Sequence, residues 1–179
     1  LKKEAEKFSG TAGLVVCSLA DGERFVHNGD RVFSSASLIK LGILYTLFSK
    51  AAGGELSLDE KLELVEGAAV DGGLLHKTRP GGRWRLDDLA LLMIALSDNT
   101  AANMLIDRLG IGGVNADFKK MGLENTVLGR KMLDFEARKA GRDNFTTAAD
   151  TARILEILHS GPELPPEYRA RAMDILSAQ

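Results

Sequence analysis

Leu38 to Ala52 limits what this chain can fold into more than any other stretch. Apolar residues stand on every side of the helix it would form (Leu38, Ile39, Leu41, Ile43, Leu44, Tyr45, Leu47, Phe48), with charge only at Lys40 and Lys50. A helix that is apolar all round has no face to give to water, so it must be the element about which the others pack. It stops at Gly53-Gly54, a usual C-terminal signal. At its mouth, Phe33-Ser-Ser-Ala-Ser-Leu-Ile-Lys40 sets a hydroxyl and an amine at i and i+3. On a helix, Ser37 and Lys40 then share a face, and the amine can reach the Ser oxygen to take or relay its proton. Ser37 is also the N-cap or first-turn residue, where unpaired backbone N–H groups and the positive helix end favour a developing negative charge. The plain alternative is a capping serine followed by a solvated lysine, and Ser-x-x-Lys alone is too short to decide between the two.

A chain of 179 residues, 45% hydrophobic and 27% charged, holds one sizeable domain or two small subdomains sharing a core. Its formal charge of −2, with no basic stripe interleaved with aromatics, argues against a nucleic-acid partner. The longest nearly unbroken apolar run, Leu89 to Leu96, is far too short to span a bilayer. Leu1-Lys-Lys-Glu has no apolar segment behind it, which reads as no signal peptide: a cytoplasmic chain, or a mature or trimmed form of an exported one. Cys17, the single cysteine, makes no internal disulfide and is expected to be a buried structural thiol. His27, His76 and His159 are isolated, with no metal-ligand spacing among them, and His76 is expected as an exposed loop residue. No metal or organic cofactor is expected.

In chain order, residues 2–8 read as the end of a helix stopped by Ser9-Gly10. Thr11–Leu19 and Arg24–His27 flank an Asp21-Gly22 turn and predict a hairpin. Glu66 to Arg83 is glycine-rich and reads as loops at a surface or a site rim. Arg85-Leu-Asp-Asp88 opens a helix with body Leu89–Leu96, and Ser97-Asp-Asn-Thr100 then caps a new helix, Ala101–Leu109. Gly110 and Gly112-Gly113 are expected to break it before a short helix, Val114–Met121. Residues 123–150 are polar and irregular, with Arg130 and Lys131 at one end and Asp143 at the other placed to close an Ω-type loop. Helices are predicted over Thr147–Leu158 and from Pro166 to the C-terminus.

Ser37-Leu-Ile-Lys40 and Ser97-Asp98-Asn99 stand 60 residues apart. In this order and at this distance the pair resembles the class A β-lactamases and their penicillin-binding relatives. The resemblance extends over nearly the whole chain: the hairpin before the serine, the buried helix after it, Ser97-Asp-Asn-Thr-Ala-Ala-Asn103, and Arg142-Asp-Asn-Phe-Thr-Thr-Ala148 closing the loop. It implies an α/β (α+β) fold of the β-lactamase/transpeptidase type. A helical subdomain, residues 37–179, would carry the active-site serine and the Ω-type loop (about 123–150), packed on an incomplete sheet subdomain, residues 1–36. It also implies a location in the periplasm, the cell envelope or outside the cell.

Under the resemblance, Ser37 attacks a lactam or peptide carbonyl and Lys40, with a depressed pKa or through water, helps deprotonate it. Ser97 passes a proton to the departing nitrogen, Asn99 binds the substrate's acylamide group, and Asp98 pins the turn. For deacylation, which in this family uses a loop glutamate, the chain offers Glu136, with Asp134 as second choice. The loop looks shorter than the family's, and without a carboxylate at the water the ester would persist. The family's third motif, Lys-Thr/Ser-Gly on a late strand, finds no match in the sequence: Lys77-Thr78-Arg79 lacks the Gly and precedes Ser97. That strand supplies the second oxyanion N–H beside the Ser37 amide, and losing one such donor costs roughly 2.7–4 kcal/mol. The chain is therefore expected to be catalytically poor by itself. Its hairpin would have an unpaired edge, open to aggregation or to a complementing C-terminal segment. Three functions follow as expectations: β-lactam hydrolysis through acyl-Ser37; a DD-peptidase acting on cell-wall peptide with slow deacylation; or a non-catalytic penicillin-recognising sensor or fragment.

Overall fold

The computed structural model describes residues 2–179. The predicted first helix is α1 (Lys2–Lys7), and the hairpin is β1 (Leu14–Cys17) against β2 (Arg24–His27), in register Leu14 to His27 and Cys17 to Arg24. Six residues connect them, closed by Ser18 N donating to Glu23 O at 2.8 Å, with Gly22 at a left-handed φ of 77°. Cys17 is half-buried rather than buried, because a two-stranded ribbon covers only one of its faces. Asn28 starts the next turn, and β3 (Phe33–Ser34) runs into a single 3-10 turn, Ala36–Leu38.

The stretch that is apolar on every side forms α2 (Ile39–Ala52), capped by Gly53. Ile43, Leu44, Leu47 and Phe48 are fully buried. Around it pack α3 (Leu86–Ala95), α4 (Asn99–Leu109), α5 (Ile111–Lys120), α7 (Ala148–Ser160) and α8 (Pro166–Ser177). Gly42 lets α5 approach, since a Cβ there would lie 2.2 Å from the Phe118 ring. On another side Phe48 meets Tyr168 with ring centroids 6.0 Å apart. The hairpin lies against α7, where Ala149 N donates to Gly29 O at 2.9 Å and Arg24 pairs with Glu156.

Two local expectations are corrected. The glycine-rich region is bracketed by a two-stranded ribbon, β4 (Lys61–Glu63) with β5 (Arg83–Arg85), and it contains a 3-10 turn, Leu75–Lys77. The bidentate pairing of Arg108 with Glu60 (2.6 and 2.9 Å) ties this ribbon's entry to α4. Gly112-Gly113 does not break the helices. Gly110, at φ 77°, makes the break alone, and the two glycines lie in the first turn of α5.

The loop after α5 contains α6 (Phe135–Lys139) and β6 (Phe145–Thr146), which pairs with β3. Two asparagine side chains hold it by imitating a neighbouring strand. Asn115 accepts from Leu128 N and donates to Leu128 O, both at 2.9 Å, and Asn103 does the same for Met132 at 2.7 and 3.1 Å. Arg130 Nε donates to Asp143 Oδ1 at 2.8 Å and closes the loop as its charges predict; Lys131 pairs instead with Asp107.

Candidate active site

Four residues predicted from the sequence form one hydrogen-bonded cluster. Ser37 lies within the 3-10 turn that feeds α2, so it is a first-turn residue, and Ser35 occupies the cap position. Ala36, just before it, has φ 45°, and Ser97 has φ 50°. A left-handed backbone is unfavourable for residues with a Cβ and persists where surrounding structure fixes it. At Ala36 the fixing contacts come from the loop: Ser35 N donates to Asn144 O at 2.8 Å and Ser34 Oγ to Asp143 Oδ2 at 3.2 Å. At Ser97 they come from Asp98, the N-cap of α4. Asp98 is fully buried, and its Oδ1 accepts from Ala101 N at 2.8 Å while its Oδ2 accepts from Leu74 N (2.6 Å) and Leu75 N (2.8 Å).

Ser37 is exposed, and its Oγ stands 2.9 Å from Ser97 Oγ. Lys40 is only 2% exposed. Its Nζ donates to Ser97 O at 2.7 Å, Ser97 Oγ at 3.0 Å and Asn99 Oδ1 at 2.9 Å. An ammonium has three donors, so these contacts saturate it. The amine is joined to Ser37 through the Ser97 hydroxyl, and the direct Lys40–Ser37 contact expected from helical spacing is replaced by this bridge. Burial lowers the Lys40 pKa from 10.5 to about 8, opposed by the nearby Asp98 carboxylate. The unfolded chain keeps the Lys40 proton over the window from about 8 to 10.5 in which the folded chain has lost it, so the Lys40 contribution to stability rises with pH there.

Asn99 directs Oδ1 to Lys40 and Nδ2 to Asp71 O, the latter at 2.9 Å, which leaves one N–H of Nδ2 unengaged by these two contacts. Glu136 is not brought to the cluster: on α6 its carboxylate is 84% exposed and pairs with Lys139 at 2.8 Å. Asp134 caps α6, accepting from Ala137 N at 2.9 Å. The segment Val70–Leu75, which lies against Asp98–Thr100, belongs to the glycine-rich stretch expected as loops at a surface or a site rim; the Asn103 clamp, one helical turn beyond Asn99, was not anticipated. An asparagine four residues after Asn99, on the same helix face, was the available signal for the clamp. His76 is partly buried beside Asp71, 3.4 Å from its carboxylate. Among the described residues no three His, Cys, Asp or Glu stand together as a metal-holding set, and no helix is long and apolar enough to cross a membrane.

The family model described as the Beta-lactamase enzyme family matches residues 1–179. A β-lactamase of Rhodobacter capsulatus is 32% identical over 170 residues, which are 93% of this chain and 57% of that protein. The chain thus spans little more than half the length of this curated relative. Among solved structures, the β-lactamase of Sphaerobacter thermophilus superimposes with a TM-score of 0.89 at 32% identity, over 98% of this chain and 66% of that one. PBP-A does so with a TM-score of 0.87 at 34% identity, over 97% and 65%. These likenesses also agree with the mixed α/β fold of the β-lactamase/transpeptidase type. Matched by the family along all its residues, and with its two serine motifs interlocked through Lys40, the chain belongs to the β-lactamase enzyme family.

Proposed function

We propose that Ser37 opens β-lactam rings by forming an acyl-Ser37 ester, and that hydrolysis of this ester is slower than its formation. The observation that carries the reading is the unbroken path from exposed Ser37 Oγ through Ser97 Oγ to buried Lys40 Nζ, at 2.9 and 3.0 Å. With Lys40 neutral, Ser97 gives its proton to Nζ as Ser37 gives its own to Ser97, and Ser37 Oγ bonds to the lactam carbonyl carbon. The C–N bond then breaks, and the proton returns from Lys40 through Ser97 to the departing nitrogen. The free N–H of Asn99 donates to the substrate's acylamide oxygen. The acylation rate is expected to rise with pH through about 8, as Lys40 deprotonates, and to level above it. Stopped-flow acylation at a series of pH values checks this, and a flat profile would contradict it.

Slow hydrolysis is supported by what the carboxylates are doing. Asp98 is filled by three backbone N–H groups, Asp134 caps α6, Asp143 pairs with Arg130, and Glu136 faces solvent with Lys139. Among the described residues none of these is hydrogen-bonded to Ser37, Lys40 or Ser97, and each already has another partner. Glu136→Gln is expected to leave the adduct lifetime within about two-fold, measured by intact mass; a much longer lifetime would restore Glu136 as the base.

A second reading, a cell-wall peptide as the natural acyl donor, is favoured by the likeness to PBP-A, a variant of which is solved as an acyl-enzyme complex with penicillin G. Such a substrate would place the protein in the cell envelope. Both readings predict a benzylpenicillin adduct, and turnover of a cell-wall peptide separates them; incubation with benzylpenicillin tests the acylation they share. A long-lived adduct supports acylation with slow release, rapid turnover supports an efficient lactamase, and no adduct leaves a non-catalytic fold.

A further inference from the structure

We propose that Val70–Leu75 is a backbone strap that sets the orientation of the Asn99 carboxamide, and that Gly72 is a positioning residue acting through Asn99. For its activity the inference rests on the acyl-transfer reading above. Six hydrogen bonds join the strap to three consecutive residues. Thr100 Oγ1 accepts from Val70 N and donates to Val70 O, both at 2.9 Å. Asn99 gives Nδ2–H to Asp71 O at 2.9 Å and its backbone N–H to Gly72 O at 3.2 Å. Leu74 N and Leu75 N end on Asp98 Oδ2 at 2.6 and 2.8 Å. Both ends of the strap are fixed, one on the buried Thr100 hydroxyl and the other by the buried Leu75 side chain.

The two groups that Asn99 touches differ in kind. The Asp71 carbonyl only accepts, and the Lys40 ammonium only donates. The strap therefore forces Nδ2 towards Asp71 and Oδ1 towards Lys40, and a flipped carboxamide would face both partners wrongly. Contact this close requires glycine. Gly72 has φ 91°, and a Cβ on it would lie 2.7 Å from Asn99 Nδ2; at Gly73, φ 92°, a Cβ would lie 2.5 Å from the Asp98 Cα. An added methyl at Gly72 thus meets only the Asn99 side chain, whereas at Gly73 it meets backbone and threatens the fold.

Gly72→Ala is therefore the informative variant, with Gly81→Ala as control: Gly81 has a similar φ of 87° but nothing within 4 Å of its Cβ position. The readouts are the acylation rate with benzylpenicillin and the Lys40 titration midpoint by NMR of labelled lysine. Gly72→Ala is expected to slow acylation on the order of 10- to 100-fold. It should also lower the Lys40 midpoint, because the ammonium loses its Asn99 acceptor. Gly81→Ala should change neither. In an Asn99→Ala background, Gly72→Ala should add less than about two-fold and no further midpoint shift, as expected when both changes act on one contact. A Gly72→Ala variant with unchanged rate and midpoint overturns the proposal, and so does an equal effect in the absence of the Asn99 side chain. If the wild type forms no adduct, the acyl-transfer reading fails, while the Lys40 midpoint and its dependence on Asn99 still decide the strap.

Discussion

Lys40→Met is expected to slow acylation of Ser37 by benzylpenicillin about 1,000-fold, in the middle of the range for losing a general base. Methionine matches the length of the lysine stem and suits the apolar wall of α2, so the variant should stay folded while losing its proton acceptor. Without the amine, Ser97 Oγ can still accept the Ser37 proton but has nowhere to pass its own, and the relay stops at the second oxygen. The rise of the rate through about pH 8 should vanish with it, because that ionisation belongs to Lys40. Stopped-flow acylation of the folded variant measures both effects. A rate within about ten-fold of wild type, still rising through pH 8, would move the base elsewhere.

Asp98→Ala is expected to cost about 3–5 kcal/mol of stability, read from urea unfolding. Its carboxylate satisfies three backbone N–H groups from a fully buried position: the first turn of α4 through Ala101, and the strap through Leu74 and Leu75. Each buried donor left unpaired costs about 1–3 kcal/mol, and loss of an N-cap alone about 1 kcal/mol. Asp98→Asn keeps one acceptor oxygen and should fall between. A loss below about 1 kcal/mol for the alanine variant would mean that water or a shifted backbone replaces the carboxylate, and that Asp98 does not hold the turn.

Much of this was legible in the sequence because it rests on side-chain type at fixed spacing. The all-round apolar pattern of Leu38–Ala52 requires a central helix, Asp98 is a strong cap wherever it precedes a helix, and opposite charges at Arg130 and Asp143 close the loop between them. What was not legible is carried by backbone or by distant partners. The strap joins the site through main-chain groups and two glycines, which in sequence look like any loop. The ribbon β4–β5 has three residues per strand, too few for an alternation to register. Helical spacing places Lys40 near Ser37 but says nothing of Ser97, whose hydroxyl lies between them. A loop carboxylate such as Glu136 is visible in sequence, while its direction, outward to Lys139, is set by the helical turn that Asp134 caps.

The most direct measurement is intact mass spectrometry of the protein mixed with benzylpenicillin, followed by peptide mapping. Acyl transfer at Ser37 requires a single adduct of the mass of benzylpenicillin, on the peptide containing Ser37, that persists after free drug is removed and is absent from Ser37→Ala. An adduct on another residue, or one that forms equally on Ser37→Ala, would contradict it.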